Sequence, residues 1–408
     1  MNAGTIEDVS TRGGDGALRR CIGDPNAFLA DIWGTRAAVY TAADRPAGFA
    51  DLLTFDDVDR LLTTTSLRAP AFRVVKAGEK IAESAYTRSG TTGSKPVAGM
   101  ADPARIAELF RDGATIVLQG LHRYHEPVAR LCRDLELDLG HPCQVNAYIT
   151  PPGAQGLAVH ADPHDVFTLQ AFGRKRWEIH TAPREPERPP LDTLVEPGDC
   201  IYMPAGTAHA ASTQDELSGH LTIGVHVTPW REVVADAVRS ALEEDPSLDD
   251  GVPAGWHRDP EAFARELAAR MRSAAGAAVG SDAEAFAQRR RERFLSRRPP
   301  ALRGVLAAGQ TLDSLDDATP LRRRPGSVCE LRAGVDGLTV LLGDRRLEMP
   351  ARLEPAMRRI AATDHLTPGD LAAELPDARS RAVLARRLVR EGLLLPGEAT
   401  TTTPGSGR

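Results

Sequence analysis

Three things are missing from this chain of 408 residues. There is no Cys-x-x-Cys pair. The five cysteines, Cys21, Cys132, Cys143, Cys200 and Cys329, are scattered, which argues against a zinc site and a disulfide framework and fits a reducing compartment. No apolar run approaches the roughly 20 residues that span a bilayer, and the N-terminus from Met1 to Asp8 has no basic-then-apolar signal segment, so a cytoplasmic protein is expected. Positive charge is not in excess either: 50 Lys and Arg against 56 Asp and Glu give a net charge of -6. That speaks against a chain dominated by nucleic-acid binding, although it leaves room for a local basic surface. What remains, 42% hydrophobic and 26% charged residues, is ordinary globular material too long for one domain.

Against that background one pattern carries chemistry. His160 and Asp162 stand two residues apart, and on a strand such a pair points to one face. Downstream, His209 closes the run Pro197-Gly-Asp-Cys-Ile-Tyr-Met-Pro-Ala-Gly-Thr-Ala-His209. Two imidazoles and one carboxylate from distant strands make a facial triad that leaves positions open on a non-haem Fe(II) for a co-substrate and O2.

A second line is independent of the metal. Phe167–Gly173 and Lys175–Ile179 read as two short strands joined at Gly173-Arg174. Alternation puts Lys175, Trp177 and Ile179 on one face and Arg176 and Glu178 on the other. Lys175 is then the polar member of an inward apolar face. Burying an ammonium without a partner is costly, so an inward lysine implies an anion inside, and the distal carboxylate of 2-oxoglutarate is the candidate. Two further strands repeat the theme. Asn146, Tyr148 and Thr150 share a face within 144–150, as do Thr222, Gly224 and His226 within 221–227, and a barrel with a polar interior stripe holds something polar. His226 is left out of the site, because its face could equally meet solvent.

These residues resemble known families. Gly198, Pro204, Gly206 and His209 fit the distal motif of the cupin barrel, with Thr213 where an Asn often stands. Asp162 replaces the second His of many metal cupins, which favours an Fe(II)/2-oxoglutarate oxygenase. The run Asn146-x-Tyr148, Pro151, Gly153, Gln155-Gly156, His160-x-Asp162, His164-Asp-Val-Phe167, Gln170, Gly173, Lys175 and Trp177 is similar to the JmjC-type cupins of the ribosomal oxygenase family over about residues 20–230. Those enzymes are Fe(II)- and 2-oxoglutarate-dependent hydroxylases of ribosomal proteins. The resemblance implies that His160, Asp162 and His209 hold the iron and that Lys175, fifteen residues after His160, anchors 2-oxoglutarate. By the same resemblance Asn146, Tyr148 and Thr222 make further contacts to that co-substrate.

The expected fold is α+β, a double-stranded β-helix (a cupin or JmjC jelly roll) over 21–230. Residues 1–20, rich in Gly and Asp, and the tail 398–408 are expected to be disordered. Helices are expected from Asp24 through Trp33 and over Phe55–Leu62, and the Ser-, Thr- and Gly-rich 87–96 as a loop near the barrel mouth. After Trp230 the composition turns to Ala, Arg and Glu, with helical patterning over Val233–Leu242, Pro260–Ala275 and Ala283–Leu295. The resemblance makes 231–330 a dimerisation region. Over 331–397 a hairpin at 338–349 and helices at Leu353–Ala362, Pro368–Leu375 and Ala378–Glu391 resemble a winged helix. Arg379, Arg381, Arg386, Arg387 and Arg390 make its last helix basic, while Glu354, Asp364, Asp370 and Glu374 dilute the patch. It is read first as a docking or structural module, nucleic-acid contact being the alternative.

The functional expectation is a homodimeric enzyme that hydroxylates a side chain of a ribosomal protein with Fe(II), 2-oxoglutarate and O2. Hydroxylation of a natural-product peptide or a modified tRNA base stays open within the enzyme class. Outside that class stands a non-catalytic cupin that senses a metabolite or acts as a scaffold.

Overall fold

The computed structural model describes residues 16–397 apart from 45–47, 155–157, 181–182, 184–189, 281, 299–302 and 335–336. The chain divides into two compact units, 1–226 together with 299–408, and 227–298.

The first unit opens with helix α1 (Gly16–Ile22), which buries Ala17, Leu18, Cys21 and Ile22. Residues 16–20 therefore correct the expectation of disorder: their apolar side chains recur on one helical face and have a surface to meet, and the Leu18 amide donates to the Asp138 carboxylate at 2.9 Å. The rest of 1–20 lies outside the described residues, as do Gln155, Gly156 and the tail 398–408. Helix α2 (Pro25–Asp31) is capped by the Asp24 carboxylate and started by a proline, and it stops short of Trp33. In α3 (Phe55–Thr64) Thr54 and Asp57 form a capping box. Two more helices, α4 (Pro103–Arg111) and α5 (Glu126–Leu139), complete the group.

Fourteen strands are described within the 1–226 part of this unit: β1 (Ala38–Tyr40), β2 (Phe72–Lys76), β3 (Glu79–Lys80), β4 (Thr87–Thr92), β5 (Lys95–Ala101), β6 (Thr115–Leu118), β7 (Cys143–Thr150), β8 (His160–Ala161), β9 (Asp165–Phe172), β10 (Lys175–Ile179), β11 (Leu191–Val195), β12 (Cys200–Met203), β13 (Ala208–Thr213) and β14 (Ser218–Val225). Twelve of them form an eight-stranded sheet, β1-β12-β9-β14-β7-β6-β2-β3, and a four-stranded sheet, β11-β10-β13-β8, while β4 and β5 pair with each other. The two sheets make a jelly roll.

Alternation along β9 explains how the layers stick. Phe167, Leu169 and Ala171 join the large core that also contains Leu18, Phe28, Leu61 and Leu131 of the helices. Val166, on the opposite face, joins Trp177, Ile179, Val195, Ile201 and Met203 in a smaller core between the sheets. β9 is buried on both faces, although Asp165, Thr168 and Gln170 interrupt its apolar run. The β9–β10 turn sits at Gly173, whose φ is +61° and where a Cβ would collide with the Leu217 carbonyl, so no other residue fits.

The expected loop at 87–96 is instead the hairpin β4–β5, paired antiparallel from Thr87↔Ala101 to Thr92↔Lys95. Its side chains are mostly exposed on both faces, so no apolar alternation marked it in the sequence. Backbone pairing and the turn at Gly93 (φ +60°) make the ladder.

The second unit, 227–298, contains α6 (Trp230–Glu243), α7 (Pro260–Gly280) and α8 (Ala283–Ser296), close to the helices expected from periodicity. Helix α7 buries none of its described residues, although it is 21 residues long.

The chain then returns to the first unit through α9 (Val305–Gln310), β15 (Leu321–Arg323), β16 (Glu330–Ala333), β17 (Leu338–Leu342), β18 (Arg345–Met349), α10 (Glu354–Ala362), β19 (His365–Leu366), α11 (Ala378–Arg390) and β20 (Leu394–Pro396). Two three-stranded sheets, β19-β15-β20 and β16-β17-β18, enclose a core of their own with α10 and α11. Ala308, Leu315, Leu321 and Cys329 belong to that core, so this module begins well before residue 331. The helix expected at Pro368–Leu375 is a short 3-10 turn over Pro368–Leu371, started by the Thr367–Asp370 capping box. No helix among the described residues is long and apolar enough to cross a membrane.

Candidate metal and co-substrate site

Strand β8 pairs with β13 so that His160 lies directly opposite His209, and this register brings the two distant motifs together. The imidazole centroids are 4.5 Å apart, and His209 Nε2 stands 3.7 Å from an Asp162 carboxylate oxygen. One ligand atom from each of His160, Asp162 and His209 lies within 4.8 Å of the others. The outer ring nitrogens are already occupied. His160 Nδ1 meets the Ala158 carbonyl at 2.9 Å, and His209 Nδ1 meets the Thr207 carbonyl at 2.9 Å. A carbonyl can only accept, so each ring carries its proton on Nδ1 and turns an Nε2 lone pair to the shared space. Burial, ahead of the neighbouring charges, lowers the His209 pKa, which favours the neutral, ligating form.

The distal turn is held on this geometry from behind. Gly206, at φ +82°, donates its amide to the Asp162 carbonyl at 2.8 Å. Asp165 accepts from the Ala205 amide at 2.9 Å and from the Tyr202 hydroxyl, so its carboxylate ties β9 to the Pro204–Gly206 turn.

On β10 exposure alternates as the sequence indicated: Lys175, Trp177 and Ile179 are buried, while Arg176 and Glu178 are exposed. Lys175 is only 2% exposed. Its Nζ lies 3.2 Å from Thr150 Oγ1 and 2.9 Å from His220 Nδ1, both neutral partners. Burial pulls its pKa from the usual 10.5 to about 7. Tyr148, Thr150 and Thr222 line the same cavity as the triad and Lys175. Burial also raises the Tyr148 pKa, so its phenol stays protonated.

Asn146 is the exception among the expected contacts. It does not line this cavity, and its Oδ1 accepts from the Gly120 amide at 3.0 Å, pinning the turn after β6. His226 likewise lies outside, edge-on to His164 at 5.0 Å. Sequence reasoning missed His220, which is 5% exposed and lines the cavity. Its signal was available: it has the same parity on β14 as Thr222 and Gly224, one step before the segment considered.

The donor set fits a divalent first-row metal: two imidazoles and one carboxylate within reach of one ion, at the edge of a cavity. A buried cation with only neutral partners fits the carboxylate of a small dicarboxylate.

Residues 121–233, which carry the triad and Lys175, match the JmjC domain family. The relatives are ribosomal oxygenases. The chain is 32% identical over 234 residues to ribosomal oxygenase 2 of Rattus norvegicus, covering 51% of this chain and 50% of that one. It is 28% identical over 252 residues to ribosomal oxygenase 1 of Homo sapiens, covering 56% and 38%. It is 27% identical over 250 residues to the bifunctional lysine-specific demethylase and histidyl-hydroxylase NO66 of Drosophila erecta, covering 56% and 36%. The chain thus spans about half or less of the length of these relatives. Among solved structures, the Escherichia coli ribosomal oxygenase YcfD in complex with cobalt and 2-oxoglutarate shares the fold with a TM-score of 0.54 at 19% identity, over 91% of this chain and 97% of that one.

Proposed function

We propose that the protein is an Fe(II)- and 2-oxoglutarate-dependent oxygenase that hydroxylates a side chain of a ribosomal protein. One observation carries the reading: the triad and a buried, anion-seeking lysine line the same cavity. In this reading His160, Asp162 and His209 hold the iron, Lys175 anchors the far carboxylate of 2-oxoglutarate, and Tyr148 and Thr222 add polar contacts. Asn146 supports the wall without touching the co-substrate.

Iron and 2-oxoglutarate, once bound, supply the oxygen-activating chemistry that replaces an unactivated C–H bond by C–OH. The chain's own contribution is geometric. The Ala158 and Thr207 carbonyls fix both histidine tautomers, the Gly206–Asp162 backbone bond fixes the triad's spacing, and Trp177 and Val166 keep the cavity wall apolar.

The architecture is read as three parts, a catalytic barrel over about 21–230, a helical dimerisation region beginning at 231 and a winged-helix module that closes the chain. The likeness to the E. coli enzyme along 97% of its length supports this division. The exposed apolar residues of the helical part support a homodimer. In the last module, Arg381 is bound to Asp317 and to the carbonyls of Leu375 and Pro376, and Arg386 to the carbonyls of Leu312 and Leu315. Those arginines are spent on packing, which favours a docking role over nucleic-acid contact. A ribosomal substrate and five free cysteines are what support a cytoplasmic location in this reading.

The test is intact-mass comparison of ribosomal proteins from cells with and without the gene, paired with succinate release by the purified enzyme. A +16 Da shift on a ribosomal protein that needs wild-type Asp162 is the expected result. Succinate release without any ribosomal shift would move the substrate to a peptide or tRNA base, and no succinate at all would leave a binding protein.

A further inference from the structure

The 2-oxoglutarate anchor is a pair. Lys175 reaches across the barrel from β10 of the small sheet to β14 of the large one, where its Nζ lies 2.9 Å from His220 Nδ1. An ammonium can only donate, so with Lys175 charged Nδ1 is the bare nitrogen and the His220 proton sits on Nε2. This is the opposite tautomer to His160 and His209 a few ångströms away, whose Nδ1 atoms face carbonyl oxygens. The ring has little freedom to turn. It stacks on Tyr148 at 5.1 Å with planes 10° apart, and Trp177 meets it edge-on at 5.2 Å. Register supports this arrangement, since His220 lies directly opposite Tyr148 across β14 and β7.

Resting on the reading of Lys175 as the anchor, we propose that His220 is its positioning residue. As a neutral acceptor fixed in the Nε2–H tautomer, it takes one hydrogen bond from Nζ and aims the remaining donors at the co-substrate carboxylate. The acceptor must be uncharged. A carboxylate at this place would neutralise the lysine and compete with the ligand, while an apolar side chain would leave the amine free to swing away or to stay unprotonated. Burial and the adjacent Lys175 push the His220 pKa well below the usual histidine value, so the ring stays neutral. Burial keeps Tyr148 on β7 and His209 on β13 neutral in the same environment, and the other titratable groups lining the cavity are His160 on β8 and the Asp162 carboxylate of the triad.

The test compares His220→Asn with His220→Leu in protein loaded with Zn(II), titrated calorimetrically with 2-oxoglutarate. Asparagine places its carbonyl oxygen near the position of Nδ1, while leucine has similar bulk and no acceptor. Affinity should fall ~10-fold or more in His220→Leu, as for the loss of a charge-assisted hydrogen bond, and recover to within ~3-fold in His220→Asn. Proton uptake on binding, read from buffers of different ionisation heat, should begin at lower pH in the leucine variant, because an unassisted lysine is harder to protonate. Zinc affinity should not change in either. Equal affinity for wild type and His220→Leu would overturn the inference, and so would equal weakening by both variants, which would mean that the ring only packs.

Should leucine not fold, nitrogen NMR of the wild-type histidines decides: an Nδ1–H proton on His220 overturns the proposal, and a bare Nδ1 supports it. Lys175→Ala run beside these variants separates the two claims. If it leaves 2-oxoglutarate affinity intact, the anchor reading itself fails. If it weakens binding while His220→Leu does not, only the pairing fails.

Discussion

The barrel and the helical unit break the ordinary rule of polarity in opposite directions. The barrel hides a lysine at 2% exposure between two sheets, whereas the helices of 227–298 display Trp230 at 80%, Met271 at 63% and Val234 at 55%. Each misplacement costs free energy as the chain stands. A buried amine loses hydration, and exposed apolar area orders water. On the proposed function each would be relieved by something that arrives from outside, an anion in the first case and an apolar surface in the second. The irregularities therefore say more about the proposed function than the regular packing does: in that reading one region takes a small anion and the other a second copy of the chain.

The comparison breaks most completely at the triad, where Asp162→Ala or His209→Ala should cost at least ~100-fold in metal affinity and abolish turnover. Neither change should alter the melting of the helical unit, since they remove open-side donors and not its packing. Metal titration followed by calorimetry checks this. Full activity of either variant at limiting iron would defeat the assignment.

Next in size is Lys175→Ala, which should weaken 2-oxoglutarate by ~2–5 kcal/mol, about 30-fold or more, while leaving metal affinity nearly unchanged. Lys175→Arg should fall between, because a guanidinium still pairs with a carboxylate but needs more room. The same lysine gives two opposed pH signatures. Its pKa in the ligand-free fold is about 7, below the ordinary 10.5, so between those values the unfolded chain binds more protons and the ligand-free fold gains stability as pH rises. The bound carboxylate requires the charged lysine, so affinity should drop about tenfold per pH unit above 7. Melting curves and titrations across pH 6 to 10 would expose either sign if it were reversed.

The exposed side of the comparison is sharpened by replacing Val234 and Met271 with glutamate together. A dimer held by this face should become monomeric by light scattering, with 2-oxoglutarate affinity unaltered. A wild-type protein already monomeric at micromolar concentration would remove the homodimer and leave the barrel's chemistry standing.

How much of this was legible in the sequence follows from what fixes each feature. The triad and Lys175 were readable because period-2 alternation dictates facing on strands, and both lie within or beside short strands with clear turn glycines. Asn146 shared the right face but not the right fate: a turn amide took its side chain, and no periodicity reports that. The hairpin at 87–101 was hidden because pairing of exposed backbone leaves no apolar signature. The early start of the last module was hidden too, because Ala308, Leu315 and Leu321 are spread through short elements with no sustained period. His220 was missed for a plainer reason. The segment read began one residue after it, although parity would have placed it inside.

The smallest expected effect lies one residue from one of the largest. Arg176 follows Lys175 on β10, but alternation turns it outward, where it pairs with Asp192 of β11 at 2.6 Å in full contact with solvent. Water and salt screen such a pair, and two flexible side chains lose freedom to hold it, so its net worth is small. Arg176→Ala should therefore leave 2-oxoglutarate affinity, metal affinity and their pH dependence indistinguishable from wild type. Titrations run on Lys175→Ala and Arg176→Ala side by side make this a register measurement. If the arginine variant lost co-substrate binding and the lysine variant kept it, β10 would be turned over by one residue, and the outward face would be the one that meets the ligand.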